Sequence, residues 1–127
     1  MATKEATRTI QEVINRYKEL AKQNQWDQIQ DELFAEDALS IEPENSEPGA
    51  LPNAKGLDEI KKKGAMFNDM VEEMHGGYCS DPVVGGNHFA VAMGMDVTMK
   101  GGERMKMDEI AVYEVKNGKI VKEQFFY

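Results

Sequence analysis

The chain has 127 residues, a net charge of −8 and a pI near 4.8; this length suits one domain, 1–127, that buries roughly 60% of its unfolded surface, and the acidic balance opposes a nucleic-acid partner. The single cysteine, Cys79, excludes an internal disulfide, Met1–Glu5 lacks the apolar core of a signal peptide, and a cytoplasmic location is expected. The longest nearly uncharged apolar run, Phe89 to Met95, falls far short of the roughly 20 residues that cross a bilayer, so no membrane partner is expected.

In chain order, Ile10, Val13, Ile14, Tyr17, Leu20 and Ala21 recur at helical spacing and predict a first helix over Thr7–Asn24. Trp26, Ile29, Leu33 and Phe34 predict a shorter second helix ending near Glu36-Asp37, and Ala38 to Glu42 a brief strand. Three prolines and two glycines between Pro43 and Gly56 predict a loop able to rim a cavity.

Leu57, Ile60, Phe67, Met70, Val71 and Met74 form one face of a third helix. Asp58-Lys62 and Glu59-Lys63 are i,i+4 pairs on its outside, and Lys61-Lys62-Lys63 reads as a solvated face. Gly64 inside that helix costs about 1 kcal/mol relative to Ala, so it either admits a close backbone or has no special role. Tyr78 to Val84 reads as a strand interrupted by Pro82, which suits an edge or bulge.

The last quarter carries the clearest pattern. Phe89–Met99, Met105–Val115 and Ile120–Tyr127 read as three strands of an antiparallel meander, turning at Gly101-Gly102 and Asn117-Gly118. A two-residue turn at Gly101-Gly102 pairs Asp96 with Met107, Gly94 with Glu109, Ala92 with Ala111 and Ala90 with Tyr113. Val91, Met93, Met95 and Val97 then share the opposite face with Val112, Ile110, Asp108 and Lys106. At Asn117-Gly118 a two-residue turn or a three-residue bulged loop is possible. The bulge sends Val121, Glu123, Phe125 and Tyr127 to the face of Glu109, Ala111 and Tyr113, with Ile120 and Phe126 opposite. Helices on one side of a mostly antiparallel sheet make an α+β domain.

Arg16-Tyr17-Lys18-Glu19-Leu20, Phe34-Ala35-Glu36-Asp37-Ala38, Ile41-Glu42-Pro43 and the ending Val112–Tyr127 resemble the nuclear-transport-factor-2-like superfamily, and within it a SnoaL-like domain near the ketosteroid isomerases. The resemblance implies a cone, in which a curved, mostly antiparallel sheet wraps around the N-terminal helices and leaves a deep pocket. It also supports the bulged register. It implies a homodimer built on the outer sheet face, here Val91, Met93, Ile110, Val112 and Phe126. Tyr17 matches the isomerases' oxyanion tyrosine, and Glu42 before Pro43 matches their catalytic base. Ala111 stands where those enzymes carry a protonated aspartate, and the chain stops before the segment in which the cyclases carry an acidic residue, so neither reaction transfers intact.

Glu42 as a base requires a raised pKa; its plain alternative is a rim glutamate. Tyr17 is either a pocket donor or a core tyrosine with a satisfied hydroxyl. Asp96, Glu109 and Glu123 converge on one face, where one must hold a proton, unless Arg104 neutralises them as a structural network. His75, after the third helix, is either a proton carrier or a helix-end cap. Trp26, Phe67, Met70, Met74, Tyr78, Met107, Tyr113, Phe125 and Tyr127 are the expected pocket residues for a small apolar ligand. His75 and Cys79 are too sparse for zinc, and no metal or other cofactor is expected. Three functions remain: a cofactor-independent isomerase or cyclase acting on an apolar carbonyl compound, a non-catalytic dimeric ligand-binding protein, and a protein-binding module using the outer sheet face.

Overall fold

A computed structural model describes residues 7–44 and 51–127. Helix α1 (Ile10–Lys22) starts at Thr9, whose hydroxyl accepts from the Glu12 amide while the Glu12 carboxylate accepts from the Thr9 amide. Its buried stripe is Val13, Ile14, Tyr17, Leu20 and Ala21. Helix α2 (Trp26–Leu33) follows, with Ile29 and Leu33 buried. It stops three residues earlier than the pattern suggested. The chain is already extended at Phe34 and runs as strand β1 (Phe34–Ile41). Residues 45–50 of the expected proline-rich loop lie outside the described residues; its end forms a two-residue strand, β2 (Ala54–Lys55), against Leu39 and Ser40.

Helix α3 (Leu57–Met70) is shorter than expected, because Val71 begins strand β3 (Val71–Cys79). Val71 and Met74 therefore belong to a strand, one that register shifts near Glu73 and His75 fit to the sheet. Pro82 lies between β3 and β4 (Val83–Gly85), both of which pair with β5, so the chain spares the ladder a missing donor by leaving it there. Strands β5 (His88–Met99), β6 (Arg104–Lys116) and β7 (Lys119–Phe126) complete a curved, unclosed sheet of order β2-β1-β7-β6-β5-β3. All its pairings are antiparallel except that of β1 with β7. Among the described residues no helix is long and apolar enough to cross a membrane.

Two registers decide which side chains face the helices. Between β5 and β6 the chain closes a longer loop than Gly101-Gly102 alone, pairing Thr98 with Arg104, and every downstream partner moves by one: Val91 faces Ala111, Met93 faces Glu109, and Gly94 faces Asp108. A one-residue slip turns a whole strand over. Val91, Met93, Met95 and Val97 therefore lie on the inner face with Ala111 and Glu109. Asp96 lies on the outer face.

At the second hairpin Asn117 and Gly118 both adopt left-handed backbone, with φ of 50° and 73°, so this is the two-residue turn. The extra residue appears further along, at Val121, where the register shifts between Val115–Ile120 and Glu114–Lys122. Glu123 and Phe125 reach the inner face as the bulged reading required. Ile120, expected outside, points inward opposite Val115 and is fully buried.

The inner face then reads in rows. Ser40, Glu123, Tyr113 and Phe89 stand side by side across β1, β7, β6 and β5. Phe125, Ala111 and Val91 form the next row, and Glu109, Met93 and Cys79 the one beyond. The core is an aromatic cluster in which Phe89 stacks on Tyr113 at 4.9 Å between ring centres, and Tyr17 meets both edge-on or tilted at 5.2 and 5.0 Å.

Candidate active site

A cavity of about 710 Å³ opens between the three helices and the inner face of β3, β5 and β6. That size lies within the usual range for small-molecule sites. Trp26, Phe67, Met74, Met93 and Met95 supply apolar wall, Tyr17 and Cys79 polar points within it, and Lys18 of α1 with Asn24, Asp27 and Asp81 further polar groups. Gly64 of α3 also lines it, and a Cβ built there meets nothing within 4 Å. This glycine therefore admits no close backbone; it leaves space on the cavity wall.

Glu109 reaches the cavity from β6. Burial, followed by the nearby carboxyls of Glu42 and Glu123, pushes its pKa up to about 7, against a smaller opposing pull from Lys63. Among the described residues no hydrogen-bond donor occupies its carboxyl.

Behind Glu109 lies a buried polar cluster. The Lys63 ammonium donates to Glu42 Oε2 and to Ser40 Oγ, both at 2.6 Å, and sits 5.4 Å above the centre of the Phe125 ring. Ser40 donates onward to Glu123 Oε1 at 2.7 Å, and the Tyr127 hydroxyl donates to Glu42 Oε1 at 2.7 Å. Burial raises Glu123 to about 7 despite the Ser40 hydrogen bond and the Lys63 charge, both of which favour its carboxylate.

Tyr17 is 1% exposed, and its hydroxyl lies 2.9 Å from that of Tyr113. Tyr113 is buried with Tyr17 as its hydrogen-bond partner, so a satisfied arrangement has Tyr113 donate to Tyr17, leaving the Tyr17 proton for Cys79 or for a molecule in the cavity. Burial holds both phenols protonated, well above 10, and burial likewise raises the Cys79 thiol.

Of the residues expected to carry chemistry, the structure brings Tyr17, Glu42, Glu109 and Glu123 together and removes two. Asp96 is on the outer face, where Arg104 grips both its oxygens at 3.0 and 2.9 Å and lowers its pKa. His75 sits on β3, also outside, bonded to Thr98 Oγ1 at 2.7 Å and 3.0 Å from Glu73; it caps no helix and does not reach the cavity. Glu42 is neither free nor at the rim, being 8% exposed and paired to Lys63.

Among the expected pocket residues, Trp26, Phe67 and Met74 line the cavity. Tyr78 borders it, but its ring crosses Gly94 on the outer face so that its hydroxyl reaches Asp108 at 2.6 Å. Met70 and Met107 are outside the wall, Tyr113 is in the core, and Phe125 and Tyr127 serve the Lys63 cluster. Val91 and Met93, expected on the outer face, are inner: Val91 is 2% exposed in the core and Met93 lines the cavity. Ile110, Val112 and Phe126 are on the outer face, with Ile110 and Phe126 exposed.

Lys63 was hidden by its neighbours. Lys62 pairs with Glu59 at 3.0 Å and Lys61 with Asp31, whereas Lys63 is turned inward and is 6% exposed. The signal was its place between Ile60 and Phe67 on the apolar stripe. Ser40, on β1 two residues before Glu42 and so on the same side of the extended chain, was equally readable. Among the described residues no group of three or more His, Cys, Asp or Glu is arranged to hold a metal.

A family model described as the SnoaL-like domain matches residues 8–127. A protein of Mesorhizobium loti, described as a SnoaL-like polyketide cyclase and, in the same description, as a carbohydrate phosphatase, superposes with a TM-score of 0.85 at 36% identity, over 94% of this chain and 100% of that one. An NTF2-like protein of unknown function from Burkholderia pseudomallei superposes at 0.74 with 18% identity, over 93% and 89%. A Catenulispora acidiphila protein of ketosteroid-isomerase-like fold, solved with trimethylamine, superposes at 0.69 with 15% identity, over 91% and 85%. The last two likenesses concern fold alone. No curated protein matches the chain.

Proposed function

The chain belongs to the SnoaL-like domain family, and on that premise we propose that it is a cofactor-independent acid–base enzyme acting on a small, largely apolar carbonyl compound, with Glu109 as the group that moves the proton. The observation that carries this reading is the Glu109 carboxyl, unoccupied by donors among the described residues, in contact with the cavity and poised at about 7. A carboxylate with that pKa is a far better base at neutral pH than an ordinary one near 4.3, and its acid form can return the proton.

The substrate's carbonyl oxygen is directed toward the Tyr17 hydroxyl, which donates to it in place of Cys79 when Tyr113 donates to Tyr17. Glu109 takes a proton from the carbon next to the carbonyl; Tyr17 stabilises the enolate oxygen by a hydrogen bond; the enolate then either regains a proton from Glu109 at carbon or, in a substrate with a second carbonyl, attacks that carbon, whose oxygen receives the Glu109 proton. Glu42, matched by resemblance to the isomerase base, has the role of counter-ion to Lys63. The polyketide cyclase description of the Mesorhizobium loti protein supports carbonyl chemistry.

The test is solvent deuterium exchange. The protein is incubated in deuterium oxide with a panel of apolar ketones, and incorporation beside the carbonyl is followed by NMR. Exchange with the native chain and none with Glu109→Gln, while thermal-shift binding persists in both, supports the proposal. Binding without exchange in the native chain leaves a non-catalytic ligand-binding protein.

A homodimer through the outer sheet face belongs to the same proposal, now on Ile110, Val112 and Phe126. It is supported by exposures of 43% for Ile110, 50% for Phe126 and 53% for Tyr78 on one face. A monomer in sedimentation velocity at micromolar concentration contradicts it.

A further inference from the structure

Helix α3 carries three consecutive lysines and turns one of them inward. Nothing about anchoring the helix calls for this, since Ile60 and Phe67 already face the sheet side, and removing an ammonium from water is costly before any partner is counted. The compensation is specific: Lys63 Nζ donates to Glu42 and to Ser40, and Ser40 donates to Glu123. Within this space Glu42, Glu109 and Glu123 act on one another, and Lys63 is the ammonium that acts on them.

In a dry cluster each uncompensated charge is expensive, so one ammonium supports one carboxylate and the remaining carboxyls keep their protons. Lys63 is in direct contact with Glu42 and reaches Glu123 through the Ser40 hydroxyl; no hydrogen bond connects it to Glu109.

We propose that Lys63 is a positioning residue that assigns the proton within the site: by holding Glu42 as a fixed counter-ion, it leaves Glu109 as the proton-bearing carboxyl facing the cavity, with Glu123 as a second one behind it. This rests on the acid–base reading only for the use made of Glu109; the assignment of protons stands on the cluster's geometry.

The field directions agree, since Glu42 raises both Glu109 and Glu123 while Lys63 lowers both. The other titratable groups facing the site are Tyr17 of α1, Tyr113 of β6 and Cys79 of β3, all held neutral by burial, Tyr127, whose hydroxyl donates to Glu42, and Asp27 of α2 with the Lys18–Asp81 ion pair on the cavity's polar side. They are common to every variant below.

The experiment is an NMR pH titration of assigned glutamate carboxyl carbons, which needs no substrate. In the native chain Glu109 and Glu123 titrate in the neutral range. Glu42→Gln, nearly isosteric, releases Lys63 to serve Glu123 through Ser40. The Glu123 midpoint then falls into the ordinary carboxylate range and Glu109 alone titrates near neutrality. In Lys63→Met the ammonium that pulls both carboxyls down is gone, and the Glu109 and Glu123 midpoints move up.

An unchanged Glu123 midpoint in Glu42→Gln overturns the proposal, as do Glu109 and Glu123 midpoints that stay where they are in Lys63→Met. If Lys63→Met fails to fold, Glu42→Gln decides alone. Failure of catalysis is distinguishable, because these titrations as expected, with no deuterium exchange on any ketone, remove the enzyme reading and leave the proton assignment standing.

Discussion

Replacing Glu123 by glutamine should make the protein more stable at alkaline pH and leave it about as stable in acid. Glu123 is buried beneath α3, and its pKa rises from the ordinary 4.5 to about 7 on folding. Below pH 4.5 the folded and unfolded chains both hold its proton. Between 4.5 and about 7 only the folded chain does, so unfolding releases a proton and stability falls as pH rises; above about 7 the loss is complete. Taking 4.5 to about 7 at 1.36 kcal/mol per pKa unit, the loss is about 3 kcal/mol.

The glutamine carries no such proton, and its side-chain carbonyl can still accept from Ser40. The variant should therefore gain on the native chain by about 3 kcal/mol between pH 4 and pH 8.5, equivalent to roughly 10 °C in Tm for a domain of this length. Urea denaturation at half-unit pH steps measures the difference directly. Stability curves that stay parallel over the whole range would refute the reasoning, because they would mean that Glu123 ionises in the folded chain as easily as in the unfolded one.

Other perturbations follow from the same geometry. At Gly94→Ala the new Cβ would stand 2.4 Å from Tyr78 Cε1 and 2.8 Å from Asp108 Oδ1, so the tyrosine must leave and its bond to Asp108 is lost; a cost of about 1–3 kcal/mol is expected in denaturant melts. Gly64→Ala is the opposite case, with open space for the methyl, and should raise stability by about 1 kcal/mol while reducing the cavity, a combination read by calorimetry and ligand thermal shifts. Phe126→Glu places a charge in the exposed outer patch and should convert the expected dimer to monomer in sedimentation velocity without changing the far-UV circular dichroism.

Strand and helix types were readable along this chain because the apolar periods are long and clean, as in the stripe from Ile10 to Ala21. The boundaries between the cavity and the outer face were not. They turn on single residues: a loop longer than Gly101-Gly102 moved Asp96 out of the site and Met93 into it, and no local propensity distinguishes the two loops. At the last hairpin the residues left a tight turn and a bulged loop both open, and the resemblance favoured the bulge; the chain makes the tight Asn117-Gly118 turn and places the extra residue at Val121.

Lys63 was lost because a run of lysines on a helix is ordinarily solvated, and only its phase on the apolar stripe, together with Ser40 of β1 and Glu42 just beyond that strand, marks it as buried. His75 was misplaced because α3 ends a turn earlier than its methionines suggested, which makes it a strand residue bonded to Thr98. Glu109 was expected on the cavity face in either register, but its pairing with Met93, and so its neighbours, required the structure.

The measurement closest to the central claim is the pH dependence of deuterium exchange on a ketone that the native protein turns over. If Glu109 is the base, the rate rises with pH through a midpoint near 7, tracks the Glu109 carboxyl titration, and vanishes in Glu109→Gln. A rate that is flat from pH 5 to 9, or one that survives in Glu109→Gln, would contradict the account.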